Sequence, residues 1–251
     1  MKNPTTRQRL QQLASKLGQH FIGSLPGSCP LCGTATKGQH FCPDCTQDIL
    51  YSMQTHPYRC QHCSLALPDQ RSCPDCTEQA LHLNKIVAAF DYTHPLDSLL
   101  MRYKNGLQFG LAPAFAELLY RQLQYLQILP ITNSCLIPVP GSRSSLVRRG
   151  FNPAAEFAQQ LGKKLQLPVE HFVLRRHEHH LKQSSLSRQA RRAASAGLYY
   201  CSRRIDIPHA ILVDDIVTTC STLDNAAQAL RAAGVQHIDA MAIARTPDTF
   251  I

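Results

Sequence analysis

Two patterns divide this chain near residue 84. Beyond it, short apolar runs alternate with stretches whose apolar residues recur every three to four positions. The runs Ile86 to Tyr92, Cys135 to Val139, Ala210 to Val213 and Ile238 to Ala244 read as strands. Pro95 to Lys104, Leu111 to Leu126, Pro153 to Leu165 and residues 222–233 read as helices. Asn152-Pro153 opens one helix, Gly234 stops another, and Pro140 closes the second strand. Strands alternating with helices predict an α/β domain over residues 85–251 with a mainly parallel sheet. Ligands of such sheets sit beyond the strand C-termini, where Val139 and Asp214 fall. Residues 176–196 are polar and basic, without a clear period.

Before residue 85 the apolar pattern gives way to cysteine. Cys29-x2-Cys32-x9-Cys42-x2-Cys45 recurs as Cys60-x2-Cys63-x9-Cys73-x2-Cys76, each cysteine displaced by 31. Thiolates two residues apart can face one ion, and two such knuckles supply the tetrahedral set of a structural Zn²⁺. Two zinc ions are therefore expected in residues 1–84. Two groupings fit the spacing: tandem ribbons, or a cross-braced pair joining the first knuckle to the third. Modules this small have too little core to fold unaided, so the metal supplies folding energy. Cys135, Cys201 and Cys220 fall outside the pattern, and Cys135 reads as a core residue of its strand.

Eleven cysteines without a secretory apolar segment argue for a reducing compartment and a cytoplasmic protein. No apolar run approaches the length of a membrane span. Residues 5–20 place Leu10, Leu13 and Leu17 on one face with Arg7, Arg9 and Lys16 elsewhere, an amphipathic lead-in helix with some likeness to an organelle presequence. His171, His177, His179 and His180 miss the spacing that presents two histidines on one helical face, and read as a solvated loop.

Charge changes the picture further. The net charge is +9, and residues 143–204 hold thirteen Lys/Arg against three Glu. A localised basic excess is the electrostatic signature of a polyanion partner.

The chemistry concentrates at residues 211–222, where Ile-Leu-Val leads into Asp214 and Asp215, then Thr218, Thr219, Cys220, Ser221 and Thr222. A strand, a polar turn and a helix N-terminus make an anion site, because free N–H groups and the helix dipole both favour phosphate. Two ionised carboxylates beside it suit a sugar diol, whose hydroxyls donate. Together they describe a ribose 5-phosphate site. The stretch resembles the phosphoribosyl pyrophosphate (PRPP) loop of type I phosphoribosyltransferases. That resemblance implies Asp214 and Asp215 at the ribose hydroxyls, and Thr218, Thr219, Ser221 and Thr222 around the 5-phosphate. Cys220 stands where that family has Gly, and its Cβ narrows the positive-φ options and the approach to phosphate.

Ile137-Pro138-Val139-Pro140-Gly141-Ser142-Arg143 resembles the pyrophosphate loop of the same enzymes, with Val139, Pro140 and Arg143 as its members. Arg148-Arg149-Gly150-Phe151-Asn152 follows, with Pro153 where Gln is usual. With the cysteine module in front, the Gln183 to Gly197 segment and Lys104 after Tyr103, the chain resembles the competence protein F (ComF/GntX) family over about residues 29–245. The resemblance implies a type I phosphoribosyltransferase-like fold behind a double zinc ribbon. It also implies a role in natural transformation, handling incoming single-stranded DNA with other competence and DNA-processing proteins. Arg143, Arg148, Arg149 and Lys104 can neutralise DNA phosphates, and Phe151 offers a stacking face. Three functions fit: a DNA-handling factor on a PRPP fold, a working phosphoribosyltransferase using Mg²⁺–PRPP, or a PRPP-sensing DNA-binding regulator. Transfer needs an acceptor held in line with C1, and no residue pattern names an acceptor or a catalytic group.

Overall fold

The computed structural model describes residues 26–37, 40–54, 58–67, 72–77, 81–105, 108–129, 131–178 and 197–247. The expected lead-in helix, His179 and His180, and the segment from Gln183 to residue 196 lie outside them. The chain divides into two compact units, Met1–Gln47 and Asp48–Ile251.

The first unit holds a hairpin, β1 (Pro26–Ser28) with antiparallel β2 (Ala35–Lys37), and the start of α1 (Pro43–Gln54). The second unit repeats the design with β3 (Tyr58–Arg59), β4 (Ala66–Leu67) and the short helix α2 (Pro74–Thr77). Gly33 takes φ +75 and donates its N–H to Cys29 O. Ser64, displaced by the same 31 residues, takes φ +58 and donates to Cys60 O. The first knuckle of each ribbon thus takes one left-handed residue, a conformation glycine adopts freely and serine with strain.

The second unit is built on a four-stranded sheet in the order β5 (Ile86–Asp91), β10 (His237–Arg245), β9 (His209–Val217), β6 (Ser134–Pro138). Every pairing is parallel. Between the strands run α3 (Leu96–Lys104), α4 (Ala112–Tyr125), α5 (Arg143–Arg149), α6 (Pro153–Leu165) and α7 (Ser221–Ala232). A two-stranded ribbon, β7 (Leu174–Arg176) antiparallel to β8 (Tyr199–Cys201), stands apart from the sheet. Both β5 and β6 are buried along their whole length, as parallel strands covered on both faces must be.

One sheet face carries Ala210 and Leu212 into a core shared with Leu223, Leu230, Cys63 and Leu65, so the second ribbon and α7 cover the same side. On the other face α4 and α6 pack together, with Phe115 ringed by Phe90 and Tyr103 at centroid distances of 5.8 and 5.5 Å. Among the described residues no helix is long and apolar enough to cross a membrane.

Every strand and helix expected beyond residue 84 is present and differs only at its ends, while α5 and the β7–β8 ribbon were not expected. The largest difference is β9, which continues through Asp214 and Asp215 to Val217 instead of ending at Val213. Its partner β10 runs in register with it as far as Arg245 opposite Val217, so the ladder carries the polar residues along.

Candidate functional site

A cleft of about 560 Å³ opens at the C-terminal ends of the sheet. Loops after β5, β6, β9 and β10 all contribute: Tyr92, Val139, Thr218 and Thr246 line it. Because neighbouring side chains on a strand point to opposite faces, the acidic pair straddles β9. Asp215 is turned toward α3, with Lys104 Nζ 3.3 Å from its Oδ2. Asp214 lies on the side of Tyr199, whose phenol its charge raises further after burial to about 12. Both carboxylates line the cleft. Each also accepts the next backbone N–H, Asp214 from Asp215 and Asp215 from Ile216, at 2.8 Å. Burial raises the Asp214 carboxyl to about 8, and the neighbouring Asp215 charge adds to the rise. A cation or a hydrogen-bond donor entering the cleft would favour the ionised form of Asp214.

The loop after β9 divides. Thr218 and Thr222 face the cleft, and the Thr219 and Ser221 hydroxyls bond each other at 3.0 Å. Cys220 caps α7 at φ 58, the left-handed conformation that favours glycine. Its side chain is 2% exposed and lies in the buried core that also holds Cys63. The Cβ expected to crowd a phosphate points into protein instead.

The loop after β6 is held by Asn152, expected from the sequence to open α6 and found to hold this loop as well. Its Nδ2 donates to Val139 O at 3.0 Å, and its Oδ1 accepts Ala154 N–H as the cap of α6. Tyr103, fully buried, donates to Pro153 O at 2.7 Å. Val139 and Pro140 line the cleft beside Ser142, which caps α5. Arg143 and Arg148 are exposed on that helix. Arg149 lines the cleft, and its buried Nε has no hydrogen-bond partner among the described residues. A buried guanidinium donor without an acceptor calls for an anion. Phe151 also lines the cleft, edge-on to Tyr103 at 5.8 Å. Of the residues expected at DNA, Lys104, Arg149 and Phe151 thus face the acidic cleft, while Arg143 and Arg148 face outward.

Arg245 went unnoticed in the sequence, as the last residue of an apolar strand. It is fully buried. Its Nε donates to Cys63 O at 3.1 Å and its Nη2 to Asp75 Oδ2 at 2.5 Å. Nη1 donates to Val217 O and Thr218 O at 3.2 and 2.5 Å. One guanidinium therefore joins the second ribbon to the start of the acidic loop.

The ribbons themselves group in tandem. Cys29, Cys32, Cys42 and Cys45 bring their sulfurs within 4.8 Å of one another, and so do Cys60, Cys63, Cys73 and Cys76. Cys32–Cys42, Cys60–Cys76 and Cys63–Cys73 are 3.6, 3.6 and 3.5 Å apart. Four thiolates at the zinc–sulfur distance of about 2.3 Å stand roughly 3.8 Å apart, so both sets fit Zn²⁺.

Two four-cysteine ribbons in front of a parallel α/β domain with an acidic, phosphate-suited cleft define the class of this protein. A family model described as a double zinc ribbon domain matches residues 24–77. Competence protein F of Haemophilus influenzae is 31% identical over 225 residues, 87% of this chain and 90% of the relative. DNA utilization protein YhgH of Salmonella typhi is 27% identical over 169 residues, 64% of this chain and 72% of the relative. The protein of that name from Escherichia coli K12 is 27% identical over 166 residues, with the same coverage. The chain belongs to the competence protein F family.

Proposed function

We propose that this protein handles single-stranded DNA in the cytoplasm during natural transformation, alongside other competence and DNA-processing proteins, and that its cleft binds Mg²⁺–PRPP on a phosphoribosyltransferase-like fold. Its relatives named competence protein F and DNA utilization protein support the DNA role. The observation that carries the cleft reading is the unpartnered Arg149 Nε beside Asp214, Asp215, Thr218 and Thr222 in one pocket. Anion donor, diol acceptors and a helix N-terminus match the parts of a ribose phosphate bearing a pyrophosphate. The cleft volume of about 560 Å³ falls within the roughly 300–1,000 Å³ of small-molecule sites. Mg²⁺ would be held by the ligand's phosphates with Asp214 or Asp215, and would neutralise charge on a pyrophosphate group. The transferase reading draws on the same cleft and ranks second, because no side chain there marks an acceptor.

The test measures Mg²⁺–PRPP and an oligodeoxynucleotide on one sample, singly and in competition. Both bind under this reading. Arg148→Ala lowers the magnitude of the salt slope of DNA binding by about 0.7, the single-strand value per phosphate. Arg149→Ala abolishes the PRPP response. No PRPP response at millimolar concentration would sink the cleft reading, and no DNA binding the DNA role.

A further inference from the structure

We infer that the outward face of the β7–β8 ribbon, with the groove beside it, is a stacking platform for single-stranded DNA, distinct from the cleft that Arg176 and Tyr199 line from the ribbon's other face. The inference rests on the DNA-handling reading and names where the strand lies. Cross-strand register sets Arg175 opposite Tyr200, both on the exposed face of the ribbon, while Leu174 and Tyr199 are buried on the other. Phe172 is 72% exposed, and the Arg175 guanidinium lies 5.6 Å above its ring. Tyr200 is 41% exposed, and the His177 ring stacks on it at 4.3 Å and 29°. Single exposed rings need no explanation, but Tyr200 on β8 and Phe172 in the bend leading into β7, each with a planar nitrogen group against its ring, make two at one small ribbon.

Beyond Tyr200 a groove of about 710 Å³ runs between Arg203-Arg204 and the C-terminal half of α7. Ala229, Ala232 and Ala233 line it, and Arg203 and Arg204 are exposed. Rings that receive bases beside guanidinium groups that meet phosphates are the parts of a sequence-tolerant single-strand site. A duplex keeps its bases stacked inside and offers the rings nothing. The nearby Glu178 carboxylate accepts the backbone N–H of Arg143 at 3.2 Å.

The experiment uses the full chain and a labelled oligothymidylate. Phe172→Ala and Tyr200→Ala each lower affinity about five- to 150-fold with an unchanged salt slope. Phe172→Trp and Tyr200→Phe keep it. Arg203→Ala with Arg204→Ala lowers the magnitude of the slope by about 1.4, two single-strand phosphates. The melting shift given by Mg²⁺–PRPP stays the same in all of them, since Phe172, Tyr200, Arg203 and Arg204 do not line the cleft. Ultraviolet crosslinking of thymidine to Phe172 or Tyr200 adds a direct readout. If wild type binds DNA and the alanine variants bind equally well, the platform is wrong and the DNA role stands. Absence of wild-type binding removes both. A loss of PRPP response alongside DNA binding, or tighter binding of the matching RNA, overturns the assignment.

Discussion

Arg245→Met tests how the second ribbon supports the acidic loop. Arg245 and Asp75 are 0% and 2% exposed, and the guanidinium also serves the Cys63, Val217 and Thr218 carbonyls. Methionine nearly matches the stem but leaves the Asp75 charge buried and those carbonyls without this donor. Removing one partner of a buried pair costs about 3–5 kcal/mol. Asp75→Asn alone leaves a buried cation that still has carbonyl acceptors, so its loss should be smaller. The double variant should lose less than the sum of the two, with a coupling above about 1.5 kcal/mol, well outside the roughly 0.5 kcal/mol scatter of independent sites. Urea unfolding must be run at fixed free zinc, because metal binding and folding are linked. The PRPP-induced melting shift, measured on the same variants, should shrink in Arg245→Met even where the protein remains folded. Additive losses, or a full PRPP response in folded Arg245→Met, would refute the coupling of ribbon to loop.

Protein purified without added metal should contain close to two zinc equivalents, and Cys29→Ser should release one while leaving the cleft's ligand response intact; one equivalent or none in the wild type overturns the double site. Asp214 supplies a pH signature: its folded carboxyl is raised to about 8, so the folded state holds a proton the unfolded chain has released. Stability should therefore fall as pH rises from the ordinary carboxylate range toward 8, and Asp214→Asn should remove up to about 1.4 kcal/mol per pH unit of that slope, read from unfolding curves. Mg²⁺–PRPP affinity should rise over the same window, since ionised carboxylates are what the ligand meets. Cys220→Gly should leave the PRPP response unchanged yet speed chelator removal of the second zinc; an enlarged PRPP response would show that the sulfur obstructs the cleft.

What was legible in the sequence follows the range of the interactions involved. Pro153–Leu165 was readable to the residue because its cap and first-turn proline are local, and the cysteine tetrads because a repeat of 31 is arithmetic. The helix Arg143–Arg149 was not, since Leu146 and Val147 are 38% and 79% exposed and form no buried stripe. The β7–β8 ribbon pairs residues more than twenty positions apart, which no local pattern encodes. Composition changes near residue 84, whereas compactness divides the chain after Gln47. The difference lies in polar contacts that span the compositional change: Arg59 with Asp91 at 2.6 Å, Ser64 Oγ donating to Ile86 O at 2.7 Å, and Arg245 with Asp75. In the cleft, the residue types were visible in the motifs, but their directions were not. Adjacent carboxylates look like one feature in sequence and become two walls on a strand.

Cys220 shows how these levels meet. Its position requires a left-handed backbone, which costs an L-residue about 1–2 kcal/mol relative to glycine. The chain nevertheless keeps a side chain there, buried to 2% exposure in the core that also holds Cys63 of the second tetrad. A glycine would relax the turn but remove the sulfur that fills the space between loop and ribbon. Arg245 spans the same seam from the other side, reaching Cys63 and Thr218 at once. The side chain that departs from the phosphoribosyltransferase pattern is thus turned away from the cleft. It packs where the underside of the loop meets the second cysteine ribbon, so the acidic loop and that ribbon share one buried seam.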